Sequence, residues 1–214
     1  MRQTPRPDLQ YEERLRLGGA RYVAGLDEVG RGAWAGPVVA AAVILPLDRH
    51  DLADRLDGVR DSKVMTSAQR ELWAEQIRLV SLAFGLGSAS SQEVDTAGLI
   101  EATRRAMRRA LEQIPLSPDY LLIDHIGLPG IPLPQTALTR GDSMVLSIAA
   151  SSIVAKVARD RLMACMSQAY PGYGFGNHMG YGTFEHRRAL QRLGACPIHR
   201  LSYAPLKTLA RHHH

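Results

Sequence analysis

The stretch from residue 21 to 45, RYVAGLDEVGRGAWAGPVVAAAVIL, constrains the fold more than any other part of the chain. It holds an apolar segment, two adjacent acids at Asp27 and Glu28, a glycine-rich turn and a second apolar segment. This pattern predicts two strands joined at an acidic tip. Carboxylates at the end of a buried strand are costly unless a cation or a proton balances them, so the tip is a candidate functional site.

The second apolar segment, residues 38–45, has almost no polar residue and is followed by Pro46. Such a run predicts a central strand covered on both faces. Neighbouring side chains in a regular strand point to opposite faces, so Asp27 and Glu28 are not expected to reach one site from an unbroken strand. We therefore expect the first strand to end or bulge at these acids, which Gly30 and Gly32 would permit.

The remaining elements alternate between helices and strands. Periodicity predicts a helix over 8–17 with Asp8 as N-cap, a helix from Thr66 or Ser67, a strand over 80–87, one amphipathic helix over 95–114, strands at 120–124 and 135–139, and a long helix after Asp142. This order predicts an α/β protein with a mixed central sheet of about five strands flanked by helices. We expect one domain over residues 1–211, with a helical C-terminal part, acting as a monomer.

Composition and charge narrow the function classes only a little. The 214 residues are 45% hydrophobic and carry a net charge of +5, which permits a polyanionic partner but does not distinguish nucleic acid from a merely basic surface. Four arginines mark the outer face of the 95–114 helix, and we interpret them as a solvated face rather than a phosphate grip: Arg104, Arg105, Arg108 and Arg109.

The chain has no feature of a secreted or membrane protein. Cys165 and Cys196 form no CxxC pair, and no apolar run approaches the roughly 20 residues needed to span a bilayer. The N-terminal residues lack the apolar segment of a signal peptide, so we expect a cytoplasmic protein with no membrane partner. The terminal residues 212–214 are all histidine and resemble a purification-tag remnant, so they are left out of the metal argument.

Four acids lie at or just after predicted strand ends: Asp27, Glu28, Asp124 and Asp142. Sites in open α/β sheets gather at strand ends, so these carboxylates could converge. Oxygen ligands without a nearby cysteine suit Mg²⁺ or Mn²⁺ rather than zinc. The alternative is that each acid only caps a helix or stabilises a turn, and Asp142 could cap the long helix.

Six blocks of sequence, in order, closely resemble bacterial ribonuclease HII. They are GLDEVGRGAWAGPVVAAAVIL from residue 25, DSK at 61–63, LLIDH at 121–125, RGDSMVLSIAASSIVAKVARDR at 140–161, YPGYGFGNHMGYGTFEH at 170–186 and HRLSYAPL at 199–206. The resemblance implies a ribonuclease H-like fold. It also implies cleavage of RNA in RNA/DNA hybrids, and of duplex DNA on the 5′ side of a lone ribonucleotide, leaving 3′-hydroxyl and 5′-phosphate ends. It assigns the four acids to two catalytic metal ions.

The resemblance also assigns substrate-binding residues. Gly30, Arg31 and Gly32 match the family segment whose main chain contacts the ribose 2′-hydroxyl, the group that distinguishes RNA from DNA. Tyr181 matches a tyrosine that packs against the sugar at the RNA-to-DNA junction, and Lys63 matches a lysine near the phosphate. Without the resemblance, the glycines would indicate only a tight turn and Tyr181 a core residue.

Other residues in the matching blocks are interpreted as structural. We expect Asp160 to form an ion pair on the long helix, and we expect surface or hydrogen-bonding roles for Lys156, His178, His186, His199 and Arg200. The chain departs from the family pattern at Ala33, His125, Ser151, Met179 and Tyr203. His125 stands where the family usually has glycine, beside Asp124, where it could tune the site or point away.

Two other functions stay open. A related nuclease of the same fold, such as ribonuclease HIII or a junction-resolving enzyme, is disfavoured by the intact Gly30-Arg31-Gly32 segment. A non-catalytic hybrid-binding protein is disfavoured because carboxylates facing phosphate do not help a pure binder.

Overall fold

The computed structural model describes residues 6–210, and these form five strands in one sheet. The strands are β1 (Val23–Val29), β2 (Val38–Ile44), β3 (Ala83–Ala89), β4 (Tyr120–Asp124) and β5 (Gln135–Leu138). Their order across the sheet is β3-β2-β1-β4-β5. The first three strands pair antiparallel, whereas β4 and β5 run parallel to β1. The predicted mixed sheet of about five strands flanked by helices is confirmed.

The helices of the described span cover both faces of the sheet and form the C-terminal part. They are α1 (Gln10–Leu17), α2 (Leu52–Arg55), α3 (Ser67–Val80), α4 (Ser91–Ala97), α5 (Leu99–Glu112), α6 (Leu146–Ala169), α7 (Phe175–His178), α8 (Phe184–Leu193) and α9 (Ala204–Ala210). Two short 3₁₀ turns, Ser62–Val64 and Gly141–Ser143, lie next to the candidate acids.

Strand β2 is buried along its whole length because helices cover both sides of it. On one side Ala40 shares an apolar cluster with Ala106 of α5. On the other side Ala41 and Val43 share a cluster with Ile153 of α6. The prediction that this apolar segment is a central strand covered on both faces is therefore confirmed.

Helix α6 lies unusually close to β1. A Cβ on Gly25 would overlap with the main chain of Ser147, so only glycine permits this approach. The Ser151 hydroxyl donates to the Gly25 carbonyl at 2.7 Å, and the Ser147 N–H donates to Oε1 of the buried Glu12 at 2.8 Å. The start of α6 is thereby fixed against β1 two residues before the acidic pair.

Three predicted element boundaries were wrong. The helix predicted over 95–114 is two helices, because Gly98 adopts φ +80° between α4 and α5. The third strand begins at Ala83 rather than residue 80, since Val80 still belongs to α3. Helix α1 begins at Gln10 with Leu9 at the cap position, although Asp8 still accepts the Gln10 N–H at 3.0 Å.

The arginine face of α5 is engaged with the protein itself. Arg109 pairs with Glu93 at 2.8 Å, and Arg108 pairs with Glu101 at 3.0 Å. Arg104 donates to the Gly127 carbonyl at 3.1 Å. The arginine side chains are partly exposed, as predicted for a solvated face, and their contacts within the protein argue against a phosphate grip.

Between residues 6 and 210, no helix combines the length and the apolar character that crossing a membrane requires. Cys165 and Cys196 are both free thiols. The terminal histidines 212–214 lie outside the described residues, so their interpretation as a tag remnant stays a prediction.

Candidate active site

The parallel pairing of β1 with β4 brings two of the acids together. Leu26 is opposite Ile123 at the last paired position, so Asp27 and Asp124 follow on neighbouring strands at the same end of the sheet. Asp27 is buried, with 3% of its surface exposed, and only 5% of the Glu28 side chain is exposed. The sheet topology alone therefore accounts for the convergence of residues almost a hundred positions apart.

The expected interruption of β1 at the acids is wrong. The antiparallel register to β2 continues without a bulge, from Asp27 opposite Ala41 to Val29 opposite Val39. Pairing with β4, however, stops at Leu26. The last residues of β1 are therefore unpaired on the β4 side, and side chains from both faces of the strand reach the open edge.

A cleft of about 310 Å³ opens at this edge. Eight of the nine predicted site residues line it: Asp27, Glu28, Gly30, Arg31, Gly32, Lys63, Asp124 and Tyr181. The ninth, Asp142, lies directly behind Lys63, whose Nζ is 2.7 Å from Asp142 Oδ2. The structure thus brings the predicted acids and the predicted substrate-binding residues into one place.

Burial, with smaller contributions from neighbouring carboxylates, raises the pKa values of Asp27, Glu28 and Asp124. Burial, together with the charges of Glu28 and Asp124, raises the pKa of Asp27 well above its ordinary value, although the Ser152 hydroxyl opposes the shift. Burial also raises the pKa of Glu28, against the opposing effect of Arg31. The pKa of Asp124 is raised by burial too, against a hydrogen bond from the Gly141 N–H at 2.7 Å. The site favours a bound cation or proton for this reason.

Asp142 does not cap helix α6. The helix begins at Leu146 with Val145 at the cap position and no side-chain capping bond, whereas Asp142 lies in the preceding 3₁₀ turn, 3% exposed. Burial opposes the charge on Lys63, yet its hydrogen bond to Asp142 and the surrounding carboxylates raise the pKa of its ammonium group overall. The capping alternative for Asp142 is excluded.

Two of the acids are paired with bases. Glu28 Oε1 accepts a hydrogen bond from Arg31 at 3.0 Å, and Asp142 accepts one from Lys63. Among the described residues, no three acid, histidine or cysteine side chains lie close enough together to enclose an ion. The second Glu28 oxygen, Oε2, is buried without a hydrogen-bond partner. This orphaned oxygen and the all-oxygen donor set fit a hard divalent cation, which would compete with Lys63 and Arg31 for the carboxylates.

The turn after β1 adopts a conformation that glycine favours. Gly30 has φ +88°, and a Cβ on it would overlap with the guanidinium group of Arg159, which lies directly beneath. The same guanidinium lies 5.4 Å from the Tyr181 ring centroid. The sequence gives no signal for this role of Arg159, since a basic residue in a helix usually indicates a solvated position.

Three buried histidines lie together, and we call them the histidine cluster: His178, His186 and His199. His178 stacks on His186 with 4.5 Å between the ring centroids. His186 Nε2 and His199 Nε2 are 3.0 Å apart, and His186 Nδ1 is 3.0 Å from the Tyr181 carbonyl. Because that carbonyl only accepts, His186 donates through Nδ1, and His199 donates to His186. His199 Nδ1 then accepts the Cys196 N–H at 2.9 Å. The predicted hydrogen-bonding role of the three histidines is confirmed.

His125 explains one departure from the family pattern. Its backbone has φ +59°, the left-handed conformation that glycine adopts freely, and its side chain is exposed. Its charge is one of the smaller influences that lower the pKa of Asp124. His125 therefore fills, at a steric cost, a position where glycine is the unstrained residue, and it has only a small effect on Asp124.

The expected ion pair of Asp160 on the long helix is confirmed. Lys156 donates to Asp160 at 2.6 Å, and Arg70 of α3 lies 3.8 Å away. Lys156 thus has the expected hydrogen-bonding role, and it also lines the cleft. Its i,i+4 spacing to Asp160 was the signal that could have predicted the pair.

The five-stranded mixed sheet, with acids at the ends of the neighbouring strands β1 and β4, is a ribonuclease H-like fold, as solved structures show. Ribonuclease H2 from Pyrococcus horikoshii OT3 is similar with a TM-score of 0.72 at 23% identity, covering 89% of this chain and 98% of that one. A chain of the PCNA:RNase HII complex from Archaeoglobus fulgidus has a TM-score of 0.70 at 25% identity, covering 86% and 95%. Bst-RNase HIII in complex with Mn²⁺ has a TM-score of 0.63 at 21% identity, covering 90% and 70%.

Sequence comparison gives the family. Residues 24–206 match the family described as Ribonuclease HII. Ribonuclease HII of Synechococcus sp. is 54% identical over 95% of this chain and 90% of its own length, and that of Chloroflexus aurantiacus is 50% identical over 94% of both. The chain belongs to the Ribonuclease HII family and is a ribonuclease H hydrolase.

Proposed function

We propose that this chain hydrolyses the RNA strand of RNA/DNA hybrids and cuts duplex DNA on the 5′ side of an embedded ribonucleotide, leaving 3′-hydroxyl and 5′-phosphate ends. The observation that carries the proposal is the single cleft in which Asp27, Glu28 and Asp124 lie beside Gly30 and Tyr181. A site for hydrolysis and a site for sugar recognition are therefore adjacent. We also propose that residues 6–210 form one domain and that the chain acts as a monomer.

The four acids would hold two Mg²⁺ or Mn²⁺ ions, and for this Glu28 and Asp142 would first have to leave their basic partners, Arg31 and Lys63. Bound divalent ions supply a water of lowered pKa and stabilise the leaving 3′-oxygen. The acids orient these groups in a buried setting where carboxylate charge is poorly screened. The Mn²⁺ complex of Bst-RNase HIII supports a divalent ion for this fold.

Substrate selection would rest on the residues beside the acids. The main chain of Gly30, Arg31 and Gly32 has no bulky side chain at either glycine, so it can approach a ribose 2′-hydroxyl closely. Tyr181 presents its ring to the sugar that follows the ribonucleotide. Lys63, with 74% of its side chain exposed, can leave Asp142 and contact phosphate.

The variant Asp27→Asn tests the proposal. Hydrolysis of an RNA/DNA hybrid with Mg²⁺ is expected to fall by about a thousandfold or more, because a buried ligand loses its charge. Hybrid affinity measured without divalent ions should change little, since phosphate binding depends on the basic residues. Near-normal turnover by Asp27→Asn would overturn the assignment of the acids. Binding without Mg²⁺-dependent hydrolysis in the unaltered chain would overturn the whole proposal.

A further inference from the structure

Arg159 of helix α6 is fully buried, with 0% of its surface exposed. Among the described residues no carboxylate accepts a hydrogen bond from it. Its guanidinium instead donates to three main-chain carbonyls, those of Ala35, Pro37 and Met179, at 3.1, 3.0 and 2.9 Å. A planar guanidinium has donors in a fixed fork, so these three bonds fix the relative positions of two separate chain segments.

Each segment adjoins a residue proposed to bind substrate, because Ala35 and Pro37 follow the turn at Gly30 and Met179 precedes Tyr181. Gly30 lies directly against the guanidinium, since a Cβ there would overlap with Arg159 Nε and Cζ. Met179 comes two residues before Tyr181, and the Tyr181 ring lies over Arg159 at 5.4 Å. One side chain thus touches the turn proposed to contact the 2′-hydroxyl and the tyrosine proposed to contact the next sugar.

A buried cation without an acid is a poor way to stabilise a fold. Burial lowers the pKa of Arg159 to about 10, because a buried site disfavours the charged guanidinium. Tyr181 acts in the opposite direction but does not cancel the shift. Apolar residues of similar volume often replace buried charges without loss of stability. The value of Arg159 to the protein therefore lies in the geometry that its three bonds impose.

We propose that Arg159 is a positioning residue for substrate choice: it sets the distance between the Gly30 turn and Tyr181, and so favours substrates with a ribonucleotide-to-deoxyribonucleotide junction over continuous hybrids. The inference rests on the proposed function. A continuous hybrid presents no junction sugar to Tyr181, so a displaced Tyr181 affects the two substrates unequally. Arg159 does not line the cleft that holds the acids, so it can act on substrate only through the Gly30 turn and Tyr181.

The test compares kcat/KM on a duplex with one embedded ribonucleotide and on a long RNA/DNA hybrid. Arg159→Lys keeps the charge but cannot make three fork bonds, and it should lose about tenfold or more on the first substrate relative to the second. Tyr181→Ala should show the same change in this ratio, and the double variant should show no further change. Arg161→Lys, two residues away and paired with the exposed Glu71, is the matched control and should leave the ratio unchanged.

Equal losses on both substrates, or additive effects in the double variant, would overturn the proposal. If Arg159→Lys does not fold, Arg159→Gln, which retains two donors, takes its place. Failure of both variants to fold would also overturn the proposal, because Arg159 would then be structural. A failure of the unaltered chain to cut the single-ribonucleotide duplex would instead overturn the proposed function.

Discussion

The acids of the cleft are balanced by bases that differ in how easily they can move away. Only 4% of the Asp142 side chain is exposed, whereas its partner Lys63 is 74% exposed. The ammonium group of an exposed lysine loses little when it leaves an ion pair, because water can solvate it. Arg31 is more enclosed and also pairs with the acid three residues before it, Glu28. Lys63 is therefore the base that we expect to leave its acid first, either when a cation binds Asp142 or when a phosphate attracts the ammonium group.

Replacing Lys63 by alanine frees Asp142 and makes the cleft more negative. We expect Mn²⁺ to bind Lys63→Ala several-fold more tightly than the unaltered chain, because the ion no longer competes with an ammonium group. Calorimetric titration without nucleic acid measures this directly. The matched control is Lys156→Ala. It also removes a positive charge from the cleft, but Lys156 pairs with Asp160 and not with Asp142. Equal gains in both variants would mean that overall charge, and not the Asp142 pair, governs metal affinity.

At the scale of elements, the start of α6 depends on a buried acid of α1. Glu12 is 0% exposed, its Oε1 accepts the Ser147 N–H, and its Oε2 has no hydrogen-bond partner. Burial raises the pKa of Glu12, against the bond from Ser147. The hydrogen bond therefore stabilises the helix start, while the negative charge of the carboxylate is disfavoured.

This division predicts opposite results for two variants. Glu12→Gln retains an acceptor oxygen without the charge, so its free energy of unfolding at pH 8 should equal or exceed that of the unaltered chain. Glu12→Ala leaves the Ser147 N–H unpaired and opens a cavity, so it should lose about 2 kcal/mol. Urea denaturation at pH 8 measures both. A glutamine variant as unstable as the alanine variant would show that the charge itself is required at the helix start.

The histidine cluster joins α8 to the segment before α9, and it should make stability depend on pH. Burial lowers the pKa of His186 to about 4, and burial also lowers the pKa of His199. The unfolded chain takes up a proton near the ordinary value of 6.5, whereas folded His186 stays neutral. The free energy of unfolding is therefore retained above pH 6.5 and lost as pH falls toward 4, by on the order of 3 kcal/mol.

Urea denaturation at several pH values between 7 and 4 gives the size of this loss. Nitrogen-15 NMR of the folded chain at pH 5.5 identifies the state of the ring, and it should show neutral His186 with the proton on Nδ1. A charged His186 ring at pH 5.5 would contradict the hydrogen-bond assignment.

Across the whole molecule, the acids and the sheet were predictable, and the contacts between distant segments were not. The continuous apolar sequence of β2 and the acids that follow strand ends are local patterns. They were enough to predict the sheet and the positions of Asp27 and Asp124 at the ends of neighbouring strands. The Lys63–Asp142 pair joins residues 79 positions apart, and Arg159 binds carbonyls as far as 124 positions away. Neither leaves a periodic trace in the sequence.

The wrong prediction about β1 has a similar cause. Alternation along one strand is a local rule, and it correctly places Asp27 and Glu28 on opposite faces. The early end of β4 pairing at Leu26 is a property of the sheet, and it opens the strand edge to both side chains. Two adjacent acids of a strand without a bulge can therefore still line the same cleft.

The most direct test of the account is the position of the cut in a DNA duplex with one embedded ribonucleotide. With Mg²⁺, the chain should cleave on the 5′ side of the ribonucleotide and leave 3′-hydroxyl and 5′-phosphate ends, and an all-deoxy duplex of the same sequence should stay intact. Mapping both product ends gives the position and the chemistry together. Cleavage of the all-deoxy duplex, a cut elsewhere, or a 2′,3′-cyclic phosphate end would contradict the account.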